Sequence, residues 1–567
     1  MRYGMLGALV CAMTVTTSAQ APGDRPAANP RATRSAILAR NGVIATSQPL
    51  ASAAGLRVLQ NGGNAIDAAV TAAAVLSVVE PTMNGLGGDL FAIVYDAKTK
   101  SLRGLNASGR APAAATLEEF RRRKLDAIPY RGELSVSVPG VIDGWNELLS
   151  KHGTISLAKA LEPAISYARE GFAISEIISY QWRDAAPVLA RDPIAASVYL
   201  PGGKPPAVGD VFRNPKLAST LEQIAKGGRD AFYRGPIGKA IADDMKRRNG
   251  LLTEADLAGH RSDWVEPIST TYRGHQVFEL PPNTQGITAL QILNVLEGFD
   301  IKSLGHNSAA YLHLLVEAKR LAFADRDAWL ADPGSVSKEV LARLLSKEYA
   351  AERRREIDPA RVTPEYRPMT RTGSQTPSGA EPPQARGDTI YMTVADRDGN
   401  VVSLIQSIFE NFGSGIVAGD TGIVLHNRGN LFSLDKAHPN VLAPGKRPFH
   451  TLVPAMVMRD GRPWLSFGVM GGDMQPQGHV QVLLNLIDFG MNIQEAGEAP
   501  RFRHSAAGLA LETAISAEAR FGLDQRGHKI ITTINAFGGF QGILFDHARG
   551  VMMGGSDPRK DGLAIGY

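Results

Sequence analysis

The sequence predicts an α+β protein built as a four-layer αββα sandwich. Two observations lead there. Before residue 389 the long patterned segments carry apolar residues at helical spacing, whereas after it short alternating runs separated by turns take over. The central strands also come as hairpin pairs, and helices around paired strands suit two stacked sheets covered on their outer faces. The 567 residues show no internal repeat, and 44% hydrophobic composition permits a large core.

The elements follow in order. Arg2, the apolar run Met5–Val15 and the small residues Thr17-Ser18-Ala19 read as a secretory signal cut after Ala19, so the protein is expected to be exported, periplasmic or secreted. The run is too short to span a membrane, and no membrane anchor is expected once the signal is removed. Cys11, the single cysteine, lies inside this signal, which leaves no disulfide, thiolate metal site or cysteine nucleophile in the mature chain. A spacer (Ala21–Arg34) leads into Ala-rich helices at Ala51–Leu59 and Asn64–Val79, separated by Gly62-Gly63. Phe91–Tyr95 and Leu102–Leu105 read as a hairpin. Leu157–Glu170, Pro236–Arg248 and Ser308–Ala324 read as amphipathic helices; in the second, Ile237, Ile241 and Met245 recur every four residues.

Glu365–Arg386 is rich in Pro, Gly, Ser, Thr and charge and keeps no apolar period, so it reads as a flexible tether. A hairpin follows directly: Thr389–Ala395 alternates, Asp398-Gly399-Asn400 turns, and Val401–Ser407 returns. Thr451–Met458 and Trp464–Val469 read as strands and Gln477–Phe489 as a helix.

The 61 Lys+Arg and 56 Asp+Glu are scattered, so no basic stripe for nucleic acid exists. Gly85-Leu86-Gly87-Gly88 lacks the spacing and the acidic partner of a dinucleotide site. The twelve histidines show no zinc-protease spacing; no metal or other cofactor is expected, and His504 and His528 read as surface or capping residues.

The chemistry centres on Thr389. If the chain is cut before it, a free α-amine arises beside its own hydroxyl, a self-contained nucleophile and base. The tether gives slack for the Thr389 hydroxyl to attack the Asp388 carbonyl in an N-to-O shift, after which water cuts the ester. The competing reading is an ordinary threonine at a loop-to-strand junction. Gly471-Gly472 follow an apolar strand and precede a helix, where backbone N–H groups favour developing negative charge. Ser407 lies across the hairpin, near enough to bond the Thr389 hydroxyl, with a solvated strand-end serine as the alternative.

Motifs along the chain tie these features together: Gly62-Gly63-Asn64-Ala65-Ile66-Asp67, Asn84-Gly85-Leu86-Gly87-Gly88, Ser137-Val138-Pro139-Gly140, Gly413-Ser414-Gly415, Lys446-Arg447-Pro448, Gly471-Gly472 and Ser556-Asp557-Pro558-Arg559. In this order and spacing the sequence resembles the γ-glutamyltransferase (glutathione hydrolase) family of N-terminal-nucleophile hydrolases, from about residue 36 to the last. The resemblance implies the same αββα fold. It implies Thr389 as nucleophile, Gly471 and Gly472 as oxyanion hole, and one precursor cut into a large subunit (20–388, with 365–388 as tether) and a small subunit (389–567) that share one domain.

The departures from the family fall where its members hold their substrate. The family's carboxylate-binding arginine matches Ser108 here, with Arg110 two residues on; the positions that bind the α-amine read Phe409, Arg428 and Leu431; the paired serines read His450 and Thr451. The acid that meets an ammonium is missing, while Arg110 and Arg428 are candidate carboxylate grips with His450 and Thr451 as donors. The family's lid segment is short, Phe432–Gly445, so an open site is expected. Three functions remain: hydrolysis of γ-glutamyl amides such as glutathione, with transfer to amines as an added outcome; hydrolysis of amides that bear a carboxylate but no α-amine, such as oxamate or glutaryl amides; or an inactive exported binding protein.

Overall fold

A computed structural model describes residues 32–369, 389–534 and 536–567. The signal, most of the tether and Asp388 lie outside the described residues. Two seven-stranded antiparallel sheets form the centre. One runs, edge to edge, through Leu563–Gly566, Val43–Thr46, Ile390–Ala395, Val401–Ser407, Asp89–Asp96, Ser101–Ala107 and Asp263–Val265. The other runs through Ile37–Ala39, Val551–Ser556, Phe540–Asp546, Arg462–Val469, Ala455–Arg459, His275–Glu279 and Ile268–Tyr272.

Side-chain alternation along the strands sorts the apolar residues into three layers. Ile390, Met392 and Val394, with Leu90, Ala92 and Val94, face the helices Pro49–Gln60, Ala65–Val79 and Val141–His152. Tyr391 and Ala395, with Phe91, Ile93, Tyr95, Val401 and Ile405, face the second sheet, where Met456, Met470 and Ile543 meet them. The far side of that sheet (Val457, Leu465, Phe467, Val469) packs on the helices Gly286–Leu296, Ala309–Trp329 and Met474–Ile487. Helix, sheet, sheet, helix is the predicted sandwich. Between the sheets the Thr393 and Ser466 hydroxyls pair at 2.7 Å, as do Tyr391 and Ser403.

Three expectations change. The strand expected over Thr451–Met458 begins only at Ala455, because His450 to Val453 are taken up by side-chain contacts at the site. The helix expected from Gln477 starts at Met474; its first turn is polar in sequence yet buried. His528 is buried, with its Nε2 2.8 Å from His313 Nδ1, so it is neither a surface nor a capping residue.

Candidate active site

Strand register builds the site. Ile390 pairs with Gln406, Ser407 with Asp89, and Leu90 with Ala107. One step further along each strand, Thr389, Ser407, Asp89 and Ser108 form a polar row across four strands. Directly opposed residues share a face, and two residues in from this row stand Tyr391, Ile405 and Phe91 of the layer between the sheets. The row is therefore the rim of that layer, and Thr389 is 1% exposed. The Ser407 hydroxyl accepts from the Phe409 N–H at 2.7 Å.

From the second sheet, strand Arg462–Val469 ends in Met470-Gly471-Gly472 and turns into the helix Met474–Ile487. Gly471 has φ +114° and Gly472 φ +58°, values that favour glycine. The Gly472 carbonyl accepts from Gln285 Nε2 (3.0 Å) and the Gln475 N–H (3.1 Å), and Gln285 Nε2 also reaches the Thr451 carbonyl (2.9 Å). Arg326 Nη1 in turn donates to Gln285 Oε1 (3.0 Å) and Asp473 Oδ1 (2.6 Å). One buried amide thus fixes the glycine turn against Thr451.

The remaining residues gather round Asp89. Its Oδ1 accepts from the Gly109 N–H at 2.8 Å; its Oδ2 lies 3.1 Å from His450 Nε2, 3.2 Å from His426 Nδ1 and 3.9 Å from Arg428 Nε. All four side chains are fully buried. Burial acts to raise the Asp89 carboxyl, but the two imidazoles outweigh it and hold the group well below the usual carboxylate range. Burial, helped by Arg428, lowers His450 to about 3, so its ring is neutral. Its Nδ1 accepts from the Leu452 N–H (3.2 Å), which leaves Nε2–H to donate to Asp89.

Arg428 donates once, from Nη1 to Thr451 Oγ1 at 2.9 Å, and its guanidinium lies 4.3 Å from the centre of the Phe409 ring. Its Nε and Nη2 have no hydrogen-bond partner among the described residues. Burial lowers its pKa to about 10, against the opposing charges of Asp89 and Glu410, and it remains a cation. Phe409 holds its place at φ +76°, a backbone strained for a bulky residue. Arg110 is engaged elsewhere: its Nη2 pairs with Asp263 (3.1 Å) and its Nη1 donates to the Arg261 carbonyl (3.0 Å). Leu431 is partly buried, at the end of the 3₁₀ turn Arg428–Leu431.

Sequence reasoning missed Asp89, His426 and Glu410. The last is buried, and its charge acts on both Arg428 and Arg131.

A family model described as Gamma-glutamyltranspeptidase matches residues 51–567. The chain belongs to this family. Among γ-glutamyltranspeptidase-family proteins it is 39% identical to the "Glutathione hydrolase-like YwrD proenzyme" of Bacillus subtilis, over 94% of this chain and 99% of that protein. It is also 39% identical to the "Acylase ACY 1 proenzyme" of a Pseudomonas species, strain SE83, over 92% and 93%. The crystal structure of cephalosporin acylase from Bacillus halodurans superposes with a TM-score of 0.88 at 41% identity, covering 96% of this chain and 99% of that one. The protein is an amide hydrolase of the γ-glutamyltranspeptidase family.

Proposed function

We propose that the protein cuts itself between Asp388 and Thr389 and then hydrolyses amides whose acyl group ends in a carboxylate. The Thr389 hydroxyl attacks the amide carbon while its own α-amine, with a reference pKa of ~7.7–8.0, takes the proton. The N–H groups of Gly471 and Gly472 stabilise the oxyanion, the amine returns the proton to the leaving nitrogen, and water releases the acid.

One observation carries the substrate reading: Arg428 is a fully buried cation whose Nε and Nη2 have no hydrogen-bond partner among the described residues. These nitrogens form one edge of the guanidinium, the edge that grips a carboxylate with two parallel bonds. Leaving them bare in the interior is costly, and an anionic ligand relieves that cost. Beside this cation an ammonium is repelled. The acylase names among the relatives support the reading. A second reading, hydrolysis of γ-glutamyl amides, has one observation in its favour: Glu410 supplies a buried negative charge next to Arg428, where an α-amine has an attractive partner.

Matched substrates decide between the two. Purified protein is assayed with the γ-glutamyl and glutaryl amides of one chromogenic amine, and the small fragment is sequenced from its N-terminus. The expected result is a fragment that starts at Thr389 and a kcat/KM for the glutaryl amide equal to or above that for its γ-glutamyl twin. A pocket built for the ammonium would prefer the γ-glutamyl amide by roughly 10- to 150-fold, the worth of one charge-assisted bond. That preference would transfer the pocket to the glutathione reading.

A further inference from the structure

The carboxylate reading leaves a question about the free protein, and the inference below rests on that reading. A fully buried guanidinium needs a counter-charge, yet a counter-charge that saturates its donors blocks the substrate. Asp89 Oδ2, at 3.9 Å from Arg428 Nε, meets the first need without the second, because that separation is beyond hydrogen-bond range. What keeps the carboxylate there is its own set of donors. The Gly109 N–H takes Oδ1, and the Nε2–H of a neutral His450 takes Oδ2. His450 is held in turn by the Leu452 N–H on its Nδ1, and the His426 ring flanks the same oxygen, with its Nε2 donating to the Ser137 carbonyl at 2.8 Å. The carboxylate is thus pinned from the Gly109 backbone and from the 450 segment at once.

We propose that Asp89 is the positioning residue of the acyl pocket. It is a counter-ion held off Arg428, which keeps the guanidinium folded inside while its Nε and Nη2 remain open to the substrate carboxylate. Asp89 touches neither substrate nor nucleophile; it acts through Arg428. An asparagine at 89 removes the charge. Its amide also replaces one of the two acceptor oxygens by an NH2 donor, which would face either the Gly109 N–H or the His450 Nε2–H.

The experiment is a double-mutant cycle on the whole processed protein with Asp89→Asn, Arg428→Gln and both together. It is read by thermal melting with and without saturating glutarate, and by kinetics on a glutaryl amide and its uncharged butanoyl twin. The Asp89→Asn protein is expected to melt lower than wild type, and adding Arg428→Gln is expected to raise its melting temperature. Arg428→Gln alone gives no such gain. Glutarate is expected to raise the melting temperature of Asp89→Asn by more than that of wild type. The KM ratio of butanoyl to glutaryl amide is expected to grow by roughly threefold to tenfold in Asp89→Asn, a typical coupling between neighbouring charges. A merely structural role lowers stability without glutarate dependence and shifts both substrates alike. If Asp89→Asn fails to accumulate as folded protein, recovery of folded protein in the double mutant supports the proposal. Additive effects, or no recovery, overturn it. Coupling of the two residues without any effect of glutarate upholds Asp89 as the counter-ion of Arg428 and removes the carboxylate reading instead.

Discussion

The pocket at residue scale turns on which polar groups are left with nothing to bind. Arg428 spends one of its donors on Thr451 and lays its face on Phe409, which holds a strained backbone to do so. Arg428→Gln is therefore expected to cut kcat/KM for a glutaryl amide by roughly 10- to 150-fold for each charge-assisted bond lost, chiefly through KM. The butanoyl amide should be nearly indifferent. Equal losses on both amides would show that Arg428 holds the fold and not the ligand. Thr389→Ala is expected to remain one chain with no activity, and gel electrophoresis beside an amide assay checks both. Gly472 sits at φ +58°, so any side chain there is strained whatever the space. Gly472→Ala should turn the N–H groups and lower kcat by roughly 10²–10³-fold, the cost of one oxyanion donor. Wild-type kcat in a folded variant would take this pair out of the mechanism.

Each element of the site hangs on a neighbour distant in sequence. Gln285 joins the start of Gly286–Leu296 to both Gly472 and Thr451 through one amide. Gln285→Leu keeps the volume but strips hydrogen bonds from two buried carbonyls. A loss of about 1–3 kcal/mol in stability and a fall in kcat larger than the rise in KM are expected. Urea melts and steady-state kinetics test this, and an unchanged kcat would free the glycine turn from Gln285. The same element shows what a sequence can and cannot display. The 390–395 and 401–407 hairpin was legible because only alternate residues meet the helices. Helix Gly286–Leu296 is buried all round, so no amphipathic period marks it. The helix at Met474 hides its first turn behind polar residues that find partners only in the folded protein. Thr389, Gly471 and Gly472 stand out in the sequence as candidates through motif and strand boundaries. Asp89 did not, because its partners lie up to 361 positions away and a single acid at a strand edge has no local signal. Arg110 and Arg428 looked alike as cations near family positions; only the acceptors around them separate one from the other.

Taken whole, the molecule stores many neutral histidines. Burial lowers His260, His450 and His479 to about 3 and His528 to about 4. Between those values and the unfolded pKa of about 6.5, the unfolded chain binds protons that the native protein refuses. Stability is therefore full above about pH 6.5 and falls as pH drops, by up to about 1.4 kcal/mol per pH unit for each such group. Asp89 adds nothing to this slope above about pH 5: its carboxyl is depressed, so its contribution is full there and fades as pH falls through the unfolded value of about 3.9. Melting temperatures measured from pH 8 to pH 4 should fall steeply below about 6, and a flat profile would contradict the buried neutral rings.

Both sheets mix strands from the two sides of residue 389. In one, 43–46 lies between 563–566 and 390–395, and 401–407 pairs with 89–96; in the other, 455–469 and 540–556 lie between 37–39 and 275–279. On the proposed cleavage, the fragments are woven and cannot part without tearing backbone ladders in both sheets. The weave was threaded while the chain was single, so the cut erases the connection that guided it. The mature molecule is then a one-way product, persistent by its unfolding barrier and without a ready route home. After denaturation, the uncut Thr389→Ala chain should recover its fold in good yield and the processed protein should not.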